Sequence, residues 1–172
     1  MRKIQIASIT DKENIRKYFY EYLVELSEFD PNVKFDNTGT PIYNWFDCYW
    51  TDKERYPLLL SINNKFAGLA LLREVDTKQF EIAEFFVIPK YRKDNNAIEF
   101  ATLVTNLFDG QFEFSTRIEN KRAIKFWDKF AQRFNGSNTF VEDNYKNWNI
   151  KTNELTQFDN LIQCEVADTN TL

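Results

Sequence analysis

Glu84 is a carboxylate set inside the apolar run EIAEFFVIP that begins at Glu81. A carboxylate in such surroundings loses hydration, which disfavours its charged form and raises its pKa toward the range useful to a general base. If side chains alternate along a strand, Glu84 shares a side with Phe86 and stands opposite Phe85 and Val87. The alternative is a structural carboxylate satisfied by Arg73, Arg117 or backbone donors. A second chemical feature follows directly. Pro89 ends the apolar run, since proline has no N–H to give a sheet ladder. The basic turn Lys90-Tyr91-Arg92-Lys93 comes next, then Asp94-Asn95-Asn96. From Ala97 the apolar period changes, and Phe100, Leu103, Val104 and Leu107 form one helical face. Asn96 with Glu99 reads as a capping pair at that helix start. Strand, basic turn and helix N-terminus together suit an anion, because the first helical N–H groups have no intrahelical partner.

The elements that must position these residues run along the rest of the chain. Residues 3–7 read as a first strand, and Thr10 with Glu13 as the capping box of a helix. On that helix Ile15, Tyr18, Phe19, Tyr22, Leu23 and Leu26 recur at helical spacing. Glu21, Glu25 and Glu28 lie on its outer side; with Asp30 they form either an acidic rim over a cleft or an ordinary solvated face. Turn and loop signals stand at Asp30-Pro31 and at Asn37-Thr38-Gly39-Thr40-Pro41. The aromatic segment YNWFDCYW, from Tyr43, reads as a second short helix, serving either core packing or an acceptor pocket. Residues 57–62 and 66–72 form a hairpin about Asn63-Asn64-Lys65, and 74–78 a polar turn. Alternation over Phe112, Phe114 and Thr116 gives another strand. Ala123, Phe126, Trp127, Phe130, Ala131 and Phe134 give another helix, and 139–141 with 148–151 a late hairpin. This order of elements implies an α/β class with a mixed sheet and helices on both faces. Residues 1–154 make one domain, and 155–172 a weakly patterned tail that forms a last strand or stays disordered.

Two blocks of this chain resemble the GNAT N-acetyltransferases. In that family a strand ending Val-x-Pro runs into a loop of pattern Arg/Gln-x-x-Gly-x-Gly/Ala, matched here by Val87, Pro89, Arg92, Asn95 and Ala97. The later block Asn120-Lys121-Arg122-Ala123-Ile124-Lys125-Phe126-Trp127 is similar to the family's Asn-x-x-Ala-x-x-Phe-Tyr/Trp helix. The resemblance covers roughly residues 3–150 and is nearest to a poorly characterised subgroup of predicted acetyltransferases. It implies a mostly antiparallel sheet whose central strands splay apart, with acetyl-CoA as co-substrate in the splay. It further implies that backbone near Phe86 and Val87 serves the thioester carbonyl. Amides of Lys93, Asn95, Asn96 and Ala97 would hold the pyrophosphate, aided by Arg92 or Lys93, with Asn120 and Phe126 beside the pantetheine arm. Glu84 would be the catalytic base. The implied reaction is acetyl transfer to a primary amine by direct attack in a ternary complex. The alternative is a domain that has lost coenzyme binding and serves as a scaffold. Two departures from the pattern matter. Asn95 replaces the loop glycine, although asparagine tolerates left-handed backbone, and Asp94 puts a negative charge in the loop. Trp127 stands where relatives often have a tyrosine general acid, leaving Tyr43 and Tyr91 as substitutes.

Composition excludes whole classes. The 172-residue sequence contains no histidine, which removes a His-based triad, a His general base and most zinc chemistry. Cys48 and Cys164 have neither metal nor redox spacing, so no metal and no acetyl-cysteine intermediate is expected. A net charge of −4 without a basic stripe argues against nucleic acid. No membrane span is visible, so a cytoplasmic location is expected. The partner that the resemblance implies is a small-molecule or peptide amine; Glu21, Glu25, Glu28 and Asp30 with the aromatic segment suggest a cationic one with some apolar body, and a homodimer is allowed.

Overall fold

The computed structural model describes residues 2–135 and 137–152. Among the described residues, nine strands and three α-helices follow one another in the order β1 (Arg2–Ile6), α1 (Lys12–Leu26), β2 (Lys34–Phe35), β3 (Pro41–Ile42), β4 (Arg55–Ile62), β5 (Lys65–Asp76), β6 (Gln79–Val87), α2 (Asn96–Asn106), β7 (Gln111–Arg117), α3 (Lys121–Ala131), β8 (Asn138–Glu142) and β9 (Tyr145–Lys151). Seven of the strands form one sheet in the order β1-β4-β5-β6-β7-β9-β8. Every neighbouring pair is antiparallel except β6 and β7, so the sheet is mixed and mostly antiparallel, as expected.

Strands β4 and β5 carry near-continuous apolar runs because both faces of the sheet are covered. Leu58, Leu60, Ala70, Leu72, Phe112, Phe114, Trp148 and Ile150 pack against α2 and α3. Leu59, Leu69, Leu71 and Phe86 pack on the other face against Ile15, Phe19 and Leu23 of α1. Two hairpins turn on paired left-handed asparagine or aspartate residues. Asn63 and Asn64 have φ of 51° and 60°, and Asp143 and Asn144 have φ of 50° and 64°. Two consecutive positive φ values are what a two-residue loop needs to match strand twist, and Asn and Asp adopt them more readily than most side chains.

Several local expectations are corrected. The box that starts α1 is formed by Ser8 and Asp11, with the Ser8 N–H donating to Asp11 Oδ2 at 2.8 Å. Glu13 pairs instead with Arg16 at 3.2 Å, because a 3-10 turn over Ile9–Asp11 moves the helix start one turn earlier. The aromatic segment makes only a 3-10 turn, Asp47–Trp50. Its rings are fixed by stacking on α1, with Phe46 5.2 Å from Phe19, rather than by a helix of their own. β5 continues to Asp76, so the polar turn shrinks to Thr77 and Lys78, the latter with φ 55°. β2 and β3 pair across the 37–41 loop signal, with Pro41 itself in β3. The tail reading for 155–172 lies outside the described residues.

Candidate functional site

Strands β6 and β7 pair only from Gln79↔Gln111 to Ile82↔Phe114. Beyond that point β6 runs on to Val87 and β7 to Arg117 without pairing, so the sheet opens between them. A β-bulge begins at the same place. Leu71 pairs with Glu84 but Leu72 with Ile82, which leaves Ala83 as the extra residue. The bulge reverses the alternation. Phe80 and Ile82 face α2 and α3, whereas two residues past Ile82 Glu84 faces α1 with Phe86. Phe85 and Val87 stand opposite, as the alternation predicts. The Ile88 N–H donates to the Ala67 carbonyl of β5 at 2.9 Å. By strand alternation the N–H and C=O of Val87 therefore face the gap. Gly68 permits this seating of β6, since a Cβ there would lie 2.5 Å from the Phe86 carbonyl oxygen.

The gap is a cavity of about 280 Å³. Phe85, Phe86 and Val87 line it from β6, Ala97 from α2, and Ala123 and Phe126 from α3. Tyr22, Glu25, Leu26 and Phe29 close it from α1 and the turn after it, while Asn120, Arg92 and Arg122 edge it. A more open lobe of about 520 Å³ continues outward past Glu28, Glu119 and Lys121.

Glu84 meets tyrosines. The Tyr22 hydroxyl donates to Glu84 Oε2 at 2.7 Å, and Tyr43 stands near the same carboxylate and also favours its charged form. Arg73 pairs with Glu81 and Arg117 with Glu119, so neither arginine satisfies Glu84. Burial pushes the Glu84 pKa up to about 7 against the opposing pull of Tyr22 and Tyr43, with Glu81 and Asp30 adding repulsion. Burial likewise raises Tyr22 and Tyr43 well above the usual tyrosine range, reinforced by the Glu84 charge.

The basic turn is held by ion pairs. Arg92 donates from Nε to the Val87 carbonyl at 2.6 Å and from both terminal nitrogens to the two Glu25 oxygens at 2.7 Å each. Arg122 also binds Glu25. The Arg92 hydrogen bonds are the main reason that Glu25 lies below the usual carboxylate range. Asp94 and Asn95 both have positive φ, 56° and 57°. Asn95 is the N-cap of α2 in a left-handed conformation and makes no side-chain cap bond. The expected Asn96–Glu99 capping pair does not form. Asn96 is buried, donates to the Tyr91 carbonyl at 2.9 Å and accepts from Arg2 Nε at 2.6 Å. Glu99 turns to the same Arg2 at 2.8 Å. The first strand thus competes for both members of the pair.

No protein-family profile matches the chain, and no curated protein matches it in sequence. Solved structures do match. A GNAT-family acetyltransferase from Staphylococcus aureus Mu50 superposes with a TM-score of 0.62 at 15% identity, over 88% of this chain and 99% of that one. A Vibrio cholerae spermidine N-acetyltransferase gives 0.61 at 14%, over 87% and 95%. A Salmonella typhimurium protein assigned as an acetyltransferase and solved with its cofactor acetyl-CoA gives 0.61 at 10%, over 88% and 94%. The fold is the GNAT fold.

Of the residues that the GNAT resemblance assigns to coenzyme, Phe86, Val87, Arg92, Ala97, Asn120 and Phe126 converge on the cavity. Lys93 and Asn95 are exposed on the loop beside it, and Asn96 is turned inward. Asn120 also caps α3, its Oδ1 accepting the Ala123 N–H at 3.1 Å. Trp127 is core: it is buried against Phe114, ring centres 4.3 Å apart, and offers the cavity no hydroxyl. The acidic-rim reading is only partly met. Glu25 is neutralised by its arginines, and Asp30 accepts from the Tyr145 hydroxyl at 2.6 Å, while Glu28 does edge the outer lobe. Sequence reasoning missed Tyr22, Phe29 and Arg122. Tyr22 counted only as one member of an apolar stripe; its spacing carries no sign that its hydroxyl reaches a strand carboxylate.

Proposed function

We propose that this chain is an acetyl-CoA-dependent N-acetyltransferase acting on a primary amine by direct attack in a ternary complex. The observation that carries this reading is the open seam between β6 and β7, with a half-buried, tyrosine-bonded Glu84 beside it. The cavity fits the coenzyme chemically: an apolar trough lined by Phe85, Phe86, Ala123 and Phe126, with Val87 backbone groups facing in and two arginines at its outer edge. Bound there, acetyl-CoA would supply an activated acetyl thioester. The Val87 N–H is the candidate donor to the thioester oxygen, where negative charge develops during attack. The Asn120 side chain and the Phe126 ring would hold the arm. The backbone of 93–97, with Arg92, is the candidate phosphate grip. Glu84, with a pKa raised to about 7, is half ionised near neutrality and can take a proton from an ammonium acceptor.

The reading is tested by an acylation screen over polyamines, aminoglycosides, amino acids and lysine peptides, following free thiol from acetyl-CoA. Turnover that depends on an amine supports it, and none with any class contradicts it. A scaffold without catalysis is the second reading. It is favoured by one observation: Glu25 already binds both arginines at the cleft edge.

A further inference from the structure

Glu84 is not itself part of the cavity wall. Tyr22 is in that wall and donates its hydroxyl proton to Glu84 Oε2 at 2.7 Å. Tyr43 stands near the same carboxylate but does not line the cavity. Trp127, at the position of the family's usual hydroxyl, has none. Resting on the acetyl-transfer reading, we propose that Tyr22 is the catalytic relay through which Glu84 takes the proton of the acceptor amine.

The proton balance follows. An ammonium acceptor in the cavity gives one proton to Tyr22 Oη as the Tyr22 proton passes to Glu84, leaving a neutral amine. The nitrogen lone pair forms the C–N bond at the thioester carbonyl carbon, the C–S bond breaks, and the sulfur leaves as thiolate. The second nitrogen proton goes to that thiolate, giving free thiol, and protonated Glu84 releases its proton to solvent. The charged and titratable groups that act on Glu84 are Tyr22 from α1, which touches it, and Asp30 from the turn after α1, Tyr43 after β3, Tyr49 from the 3-10 turn and Glu81 on its own strand. No arginine in that set pairs with it, since Arg73 is spent on Glu81. The relay therefore works on a carboxylate whose ionisation is set by burial and by tyrosine hydroxyls.

The test compares the parent with Tyr22→Phe, Tyr43→Phe, Glu84→Gln and the Tyr22→Phe/Glu84→Gln double variant, using acetyl-CoA and the amine that the screen selects. Tyr22→Phe is expected to lower kcat on the order of a hundredfold, with KM for acetyl-CoA within about twofold. Its acid limb should also move to higher pH, because a hydrogen bond to the charged carboxylate is lost. Tyr43→Phe should move the limb the same way yet cost at least about tenfold less in kcat, since it leaves the cavity hydroxyl in place. The double variant should lose little more than Glu84→Gln alone, since both changes cut one path. Equal losses in the two tyrosine variants, or a Tyr22→Phe effect confined to KM, would overturn the relay while the acetyl-transfer reading stands. A parent inactive with every amine would bring down both.

Discussion

Glu25 of α1 holds Arg92 with both carboxylate oxygens, each at 2.7 Å, while Arg92 Nε is bonded to the Val87 carbonyl. One carboxylate thus ties the helix that closes the cavity to the turn expected to receive phosphates. It also neutralises the guanidinium that would bind them, and shares itself with Arg122. A coenzyme pyrophosphate bound there would compete with Glu25 for the same cations. Glu25→Gln should therefore tighten acetyl-CoA binding several-fold, the effect of removing one like charge at partly screened distance. It should cost about 1–2 kcal/mol of stability, because a partly buried bidentate pair is lost. Calorimetry and thermal melts on the same variant check both signs. Weaker binding would make Glu25 a necessary strut rather than a competitor.

Glu84 should leave a mark on stability as well as on rate. Its folded pKa, about 7, lies above its ordinary value of 4.5. Between those values the folded state holds a proton that the unfolded state has released, so stability falls as pH rises through this window. The full penalty is roughly 3 kcal/mol and is reached above pH 7. Glu84→Gln, which keeps an acceptor for Tyr22, should be more stable than the parent at pH 8. The gap should close by about pH 4.5. Denaturant melts at the two pH values measure it, and a constant difference would mean that Glu84 is not titrating in this range.

Much of this site could be read from residue order, and the unread part has a physical pattern. The side of the strand on which Glu84 lies, the Asn63-Asn64 hairpin and the apolar stripes of the helices follow from local period and turn chemistry. The bulge at Ala83 was not legible, because it is set by the mismatch between β5 and β6, which no single strand records. Nor was the fate of Asn96 and Glu99. Their local capping chemistry was outcompeted by Arg2, 94 residues away from Asn96 in the chain. The Glu25–Arg92 pair spans 67 positions, and on its own helix Glu25 reads as one more solvated charge. Long-range pairing of this kind leaves no periodic trace.

The loop offers a paired prediction. Asp94 and Asn95 already sit in the left-handed region, at φ 56° and 57°, so the backbone adopts without glycine the conformation that glycine supplies most easily. Asn95→Gly should leave stability within about 0.5 kcal/mol, with relief at positive φ offset by greater freedom when unfolded. Closer backbone approach should lower the acetyl-CoA dissociation constant. Asp94→Asn should lower it several-fold by removing a charge from the phosphate side. If neither variant alters the titration, the loop does not hold phosphate.

Gly68 tests the seating of β6. An added Cβ would meet the Phe86 carbonyl oxygen at 2.5 Å and the Val87 Cα at 3.2 Å, both backbone atoms that cannot swing aside. Gly68→Ala should destabilise by about 1–3 kcal/mol, the usual cost of overpacking. By shifting Phe86 and Val87 it should also weaken coenzyme binding more than Gly39→Ala, a surface position with open space around it. Equal effects on coenzyme binding would separate β6 from the site.

The most direct test of acetyl-CoA use is a calorimetric titration of acetyl-CoA into the parent protein at neutral pH, repeated with Phe126→Ala. The seam between β6 and β7 predicts saturable binding at one site per chain, weakened in the variant because the ring that stacks on Phe85 at 5.5 Å is removed from the cavity wall. A flat titration of the parent at millimolar coenzyme would contradict the account and leave the fold as a scaffold.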